Sequence, residues 1–144
     1  MQNLPSLSLL SFALILSVFA QAKDYGAAHV KQVVSVYDAD TFTVDIYDWP
    51  DIVGKKISIR VNGVDAPEIK GECASEKSAA REARDYVRDL LDKSKSITLL
   101  NIKRGKYFRL IADVYAENDS LADLLIRKGY ARPYDGGKRK GWCG

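Results

Sequence analysis

The chain has 144 residues, with 22 Lys and Arg against 19 Asp and Glu and a formal net charge of +3. A hydrophobic share of 47% beside 28% charged residues describes a globular chain, neither disordered nor collagen-like. The small charge excess excludes a bulk polycationic coat, and one His with two Cys argues against a His-rich zinc site, a Cys-cluster zinc site or a Ser-His-Asp triad on His29.

Met1 to Ala22 carry no charged side chain, and Leu7 to Ala20 are apolar apart from Ser8, Ser11 and Ser17. The stretch ends in Ala20-Gln21-Ala22, a small-x-small cleavage pattern. It reads as a secretory signal peptide over 1–22, cut before Lys23, which leaves one domain over 23–144 with a basic C-terminal tail. A membrane anchor and a buried N-terminal helix are the alternatives, and for the anchor the apolar run is shorter than the roughly 20 residues that span a bilayer. Export into an oxidising space favours a Cys73–Cys143 disulfide over two free thiols.

In the domain, Ala28–Tyr37 is Val-rich and reads as a strand. Thr41–Tyr47 alternates, with Phe42, Val44 and Ile46 on one face and Thr41, Thr43, Asp45 and Tyr47 on the other. Asp48-Trp49-Pro50-Asp51 breaks it, and Lys55–Val61 alternates again with Ile57, Ile59 and Val61 inward. Ser75–Leu91 changes to helical period, with Ala79, Ala83, Val87 and Leu90 on one stripe and Ser75 as N-cap. Ile97–Asn101 and Phe108–Tyr115 are predicted strands, the second with Phe108, Leu110, Ala112 and Val114 inward. Ser120 opens a second helix in capping-box fashion, with Asp123 in the place of Glu, and Gly129 ends it. The order β-β-β-α-β-β-α predicts a small five-stranded Greek-key β-barrel with helices, one of them plugging an end. The tail from Arg132, with Lys138-Arg139-Lys140, is expected along the surface.

The candidate chemistry lies at strand ends. Asp38-Ala39-Asp40-Thr41 has the composition of a tight turn. Asp40, however, shares parity with Phe42 and Val44 and so points inward, where a carboxylate is costly without a cation or donor. Val64-Asp65-Ala66-Pro67-Glu68 holds two further carboxylates on a stiff turn. Asp40 and Asp65 offer hard oxygen ligands that suit Ca²⁺ or Mg²⁺ better than zinc, with Glu68 near enough to orient a water. Arg60 and Arg109, each on the polar face of a strand, carry the planar fork that binds phosphate in bidentate fashion. Metal, two arginines and a carboxylate base suffice for phosphodiester hydrolysis.

Asp38-Ala39-Asp40-Thr41, Ile59-Arg60-Val61, Val64-Asp65-Ala66-Pro67-Glu68 and Gly105-Lys106-Tyr107-Phe108-Arg109-Leu110-Ile111-Ala112-Asp113-Val114-Tyr115, taken in that order and spacing, resemble the staphylococcal (micrococcal) nuclease family from about Ala28 to Tyr134. The resemblance implies an OB-fold and a Ca²⁺-dependent endonuclease acting on DNA and RNA, single strands preferred, with 3′-phosphate products. Carried over, Asp40, Asp65 and the Ala66 carbonyl are the metal ligands and Asp38 stands behind them. Glu68 is the general base, Arg60 and Arg109 are the phosphate-binding arginines, and Lys106, Tyr107 and Tyr134 line the nucleotide pocket. The chain departs from the family pattern at Ala39 and Phe108, where Gly is common, and at Ala66, where Thr is.

The leading expectation is therefore an exported, monomeric nuclease free of the membrane once its signal is cut. The alternative is a non-catalytic OB-fold that binds single-stranded nucleic acid. His29 is expected on a strand surface, Trp49 and Trp142 as packing residues, and Lys138-Arg139-Lys140 as solvated charge.

Overall fold

A computed structural model describes residues 23–144; the expected signal peptide, 1–22, lies outside the described residues. Five strands form the barrel: β1 (Ala28–Asp38), β2 (Thr41–Ile46), β3 (Ile57–Val61), β5 (Ile97–Arg104) and β6 (Leu110–Ala116). They run in the order β3-β2-β1-β5-β6, and a parallel β3–β6 pairing, Ile59 opposite Leu110 and Val61 opposite Ala112, closes the sheet on itself. Closure leaves these strands no free edge. The alternation read from the sequence accounts for the interior. Ile57, Ile59 and Val61 of β3 and Leu110, Ala112, Val114 and Ala116 of β6 all face the same core as Phe42, Val44 and Leu99.

Several elements differ from expectation. The Asp48–Pro50 break leads into a single helical turn, α1 (Asp51–Gly54), and Trp49 packs against the core, as a packing residue should. The main helix, α2 (Ala74–Lys93), starts one residue early with Cys73 at its N-cap, and Ser75 makes no capping bond. Its buried stripe is Glu76, Ala80, Ala83, Val87 and Leu91, turned by about one position from the predicted Ala79 and Leu90. Ala83, Val87 and Leu91 join the barrel's core against β1. β5 runs three residues beyond the predicted end, past an irregularity between Leu100 and Lys103 where Asn101 has φ 51°.

Phe108 is the clearest departure. It was expected inward on a strand, but it sits before β6, exposed, at φ 60°, with the Arg104 guanidinium 5.0 Å from its ring. Arg109 accordingly lies at the mouth of β6 rather than within it. Asp45, expected outward on β2, is buried. Gln32 Nε2 donates to it at 2.6 Å and the Lys56 N–H at 2.8 Å, and these donors make the burial tolerable.

Two short ladders complete the fold. β7 (Asp119–Ser120) leads into α3 (Leu121–Arg127), where the Asp123 N–H donates to Ser120 Oγ at 3.3 Å and Gly129 follows the helix at φ 74°, as predicted. β4 (Val64–Asp65) pairs antiparallel with β8 (Arg132–Pro133), so the chain leaving α3 returns to the Asp65 loop. His29 is an exposed β1 residue beside Thr98, as expected. Among the described residues no helix is long and apolar enough to cross a membrane.

Candidate active site

Asp40 forms the turn between β1 and β2, where Asp38 pairs with Thr41, and it is 1% exposed. Its inward parity is therefore real, and each carboxylate oxygen has partners. Oδ2 accepts from the Ala66 N–H at 2.8 Å; Oδ1 accepts from Thr41 Oγ1 at 3.1 Å and forms an ion pair with Arg60. Arg60, opposite Thr41 in the β2–β3 ladder, also donates to the Val64 carbonyl at 3.0 Å and lies 3.9 Å from Asp65 Oδ1. One guanidinium thus ties the first acidic turn to the second.

Asp38 is different. It is buried, and its Oδ1 has no partner among the described residues. Burial, helped by the neighbouring Asp40 carboxylate, pushes its pKa up to about 7, against smaller pulls from Thr41 and Arg60. Three carboxylates, Asp38, Asp40 and Asp65, are thus buried at one end of the barrel.

A cleft of about 420 Å³ opens beside them, lined by Asp38, Thr41, Arg60, Glu68, Lys106, Arg109 and Tyr134, with Tyr37, Ile111 and Arg139. The buried Arg109 Nε has no partner among the described residues. The turn that presents Lys106 and Arg109 closes when the Arg109 N–H donates to the Lys106 carbonyl at 3.1 Å. It needs Gly105, because a Cβ there would stand 2.9 Å from the Arg109 carbonyl oxygen. Tyr107 and Phe108 take left-handed φ values of 56° and 60°, which explains why Gly is at home at the Phe108 position. Tyr107 points away: it is 94% exposed and does not line the cleft, so it does not join the expected nucleotide-pocket residues. Tyr134 does. Its N–H donates to the Gly63 carbonyl at 2.9 Å and its hydroxyl to the Gly137 carbonyl at 2.7 Å.

Two parts of the site are absent from the sequence reading. The first is Glu76, in the first turn of α2. Its carboxylate accepts from the Glu68 N–H at 3.2 Å and the Glu72 N–H at 3.0 Å, and so fixes the loop that presents Glu68. It fills the space over Gly71, where a Cβ would come within 2.3 Å of the carboxylate carbon. The second is the tail. A Cys73–Cys143 disulfide ties it to the start of α2 and turns it into the site instead of along the surface. The Arg139 guanidinium bonds the Asp65 and Glu68 carboxylates and reaches the Ala66 carbonyl at 3.4 Å. Trp142 Nε1 donates to Asp65 Oδ2 at 3.2 Å, and the Arg132 guanidinium stacks on the Trp142 ring at 3.7 Å. The solvated-charge expectation thus fails for Arg139. Its signal was legible in one respect: Cys143 is four residues on, and Cys73 is five residues past Glu68.

A family model described as staphylococcal nuclease homologue matches residues 58–141, more than half of the chain. The chain belongs to this family. The matched span contains Arg60, Asp65, Ala66, Glu68, Lys106, Arg109 and Tyr134; the Asp38–Thr41 turn precedes it and joins the site through the β2–β3 ladder. Among curated relatives, the chain is 31% identical over 93 residues to a probable endonuclease of Schizosaccharomyces pombe, covering 60% of this chain and 40% of the relative. It is 26% identical over 84 residues to staphylococcal-like nuclease CAN1 of Arabidopsis thaliana, covering 58% and 24%. A probable staphylococcal-like nuclease of rice, CAN3, is 23% identical over 111 residues, covering 77% and 27%. The chain spans two-fifths or less of the length of these relatives. The staphylococcal nuclease family carries a barrel of this kind, and the closed five-stranded sheet with its helices agrees with the OB-fold expected from the motifs.

Proposed function

We propose that this chain is a divalent-cation-dependent endonuclease that cleaves DNA and RNA, with Ca²⁺ as its cation, and leaves 3′-phosphate ends. The observation that carries the reading is one cleft lined by Arg60, Arg109, the half-exposed Glu68 carboxylate and buried Asp38, with buried Asp40 joined to it by the Arg60 ion pair and buried Asp65 by Arg139. Relatives named as nucleases support it.

The donor chemistry fits a hard cation. Asp40, Asp65 and the Ala66 carbonyl offer oxygen only, Asp38 adds a buried oxygen without a partner, and the Asp65–Ala66 oxygens already meet a positive charge from Arg139. When bound, such an ion neutralises phosphate charge and polarises the phosphorus centre. The chain's own residues supply the rest. Arg109, which lines the cleft, grips the non-bridging phosphate oxygens, and Arg60 adds charge from the base of the cleft. Glu68, held from behind by Glu76, takes the proton from a water as that water attacks phosphorus in line. The phosphorus–O5′ bond breaks, the 5′-oxygen takes up a proton, and the phosphate stays on the 3′-oxygen. Lys106 and Tyr134, at the cleft wall, hold the neighbouring phosphate and base, which favours an unpaired strand whose bases can turn toward the ring. Export is supported by the apolar 1–22 segment and by the Cys73–Cys143 disulfide.

The test is cleavage of single-stranded DNA and of RNA by the whole chain in Ca²⁺ and again in EGTA. Cleavage in Ca²⁺ that stops in EGTA is expected. Binding without cleavage in Ca²⁺ would overturn the enzyme reading and leave the non-catalytic nucleic-acid-binding module.

A further inference from the structure

The position of Arg139 conflicts with the site's proposed chemistry. Its guanidinium occupies Asp65, Glu68 and the Ala66 carbonyl, which are two of the oxygens proposed for the cation together with the proposed base. A guanidinium seated on these oxygens and a divalent ion compete for the same site, and they repel one another.

The contact is also anchored on both sides. β8 fixes the chain at Arg132–Pro133 and the disulfide fixes it at Cys143, so Arg139 lies on a short loop between two ties. Arg132 reinforces the far side by donating to the Gly141 carbonyl at 3.0 Å and stacking on Trp142. A tether of this kind keeps the local concentration of the side chain high at the acidic cluster without further ordering cost.

We propose that Arg139 is a built-in competitor for the cation, a residue that sets divalent-ion affinity by holding Asp65, Ala66 and Glu68 until the ion displaces it. The proposal rests on the metal reading above and deepens it. Any ion that binds must bind against this internal cation, so apparent affinity is lowered by the fraction of molecules in which Arg139 is seated. Displacement also frees Glu68, so the base becomes available only once the cation is in place. The Cys73–Cys143 bond acts through the tether, and loosening it shifts the same balance.

Calorimetric titration of the whole chain with CaCl₂, with no nucleic acid present, tests this. Arg139→Ala is expected to bind Ca²⁺ about tenfold more tightly than wild type, within the usual range of coupled equilibria. Arg139→Lys, which keeps the charge but loses the fork, is expected to fall between the two. Lys138→Ala makes the same change in net charge outside the cluster and is expected to stay within about twofold of wild type. The double variant Cys73→Ser/Cys143→Ser is expected to tighten binding in the same direction as Arg139→Ala. Equal or weaker binding by Arg139→Ala, or an equal gain from Lys138→Ala, would overturn the proposal while leaving the Ca²⁺ site standing. Absence of Ca²⁺ binding in every variant would remove the metal reading and this proposal together.

Discussion

Asp45 and Asp38 both lie in the β1–β2 hairpin and both are at most 9% exposed, yet the fold treats them in opposite ways. Asp45 is met by two neutral donors, the Lys56 N–H foremost and then Gln32, and the Lys56 bond holds its pKa below the usual carboxylate value against the cost of burial. Asp38 keeps an oxygen without a partner among the described residues and has its pKa pushed up to about 7, first by burial and then by Asp40. The lesson is local. A carboxylate that only holds strands together is supplied with neutral donors, one from the backbone and one from a side-chain amide. Those at the cleft are crowded together, with guanidinium groups as their main neutralising partners. The same contrast separates the two arginines: Arg60 is committed to Asp40 and the Val64 carbonyl, while the Arg109 Nε has no partner among the described residues.

The largest expected effect breaks that second contrast. Arg109→Ala should lower the cleavage rate about 100-fold or more with little change in thermal stability, because no intramolecular bond of its Nε is lost. Arg60→Ala should lower the rate comparably and also destabilise by about 3 kcal/mol, because it strips the ion pair from buried Asp40. Paired rate and urea-unfolding measurements separate the two; equal stability losses would contradict the assignment.

Next comes the tether. Cys73→Ser/Cys143→Ser opens a loop with a sequence separation of 70, and chain entropy predicts a loss of roughly 4 kcal/mol. Unfolding at neutral pH checks this, and a loss below about 1 kcal/mol would mean that the tail is held by its other contacts.

The smallest effect sharpens the first contrast. Asp45 has a folded-state pKa below its unfolded one. Between the two values the unfolded chain binds more protons, so the carboxylate's contribution is full above the unfolded value, near 4, and is lost as pH falls through the folded value. Asp45→Asn should therefore be less stable than wild type at pH 7, by a margin that narrows steadily in acid. A margin independent of pH would show that shape, rather than charge, matters at this position.

The sequence carried the barrel because its strands are half-buried, and period-2 alternation survives in β2, β3 and β6. It carried Asp40, whose parity marks it as inward, and the Asp65–Glu68 and Lys106–Arg109 turns, whose motifs are contiguous. Phe108 was misread because an aromatic residue in an alternating run looks like strand, whereas the Gly105 turn imposes a left-handed backbone there. Asp45 was misread because its donors come from Lys56 and Gln32, on neighbouring strands and loops. Glu76 was missed because a Glu in the first turn of a helix is ordinary; only the fold turns it toward the Glu68 loop. Arg139 was missed because a three-residue basic run looks solvated, and only the Cys73–Cys143 bond brings it back to Asp65.

The most direct test of the central claim is single-turnover cleavage of a 5′-labelled single-stranded DNA at saturating Ca²⁺ by wild type and by Glu68→Gln, a change that keeps the shape of the loop and its backbone bond to Glu76. A loss of about 100-fold or more in rate, with 3′-phosphate ends on the products of both and no change in unfolding temperature, is predicted. Equal rates for the two proteins would contradict the account.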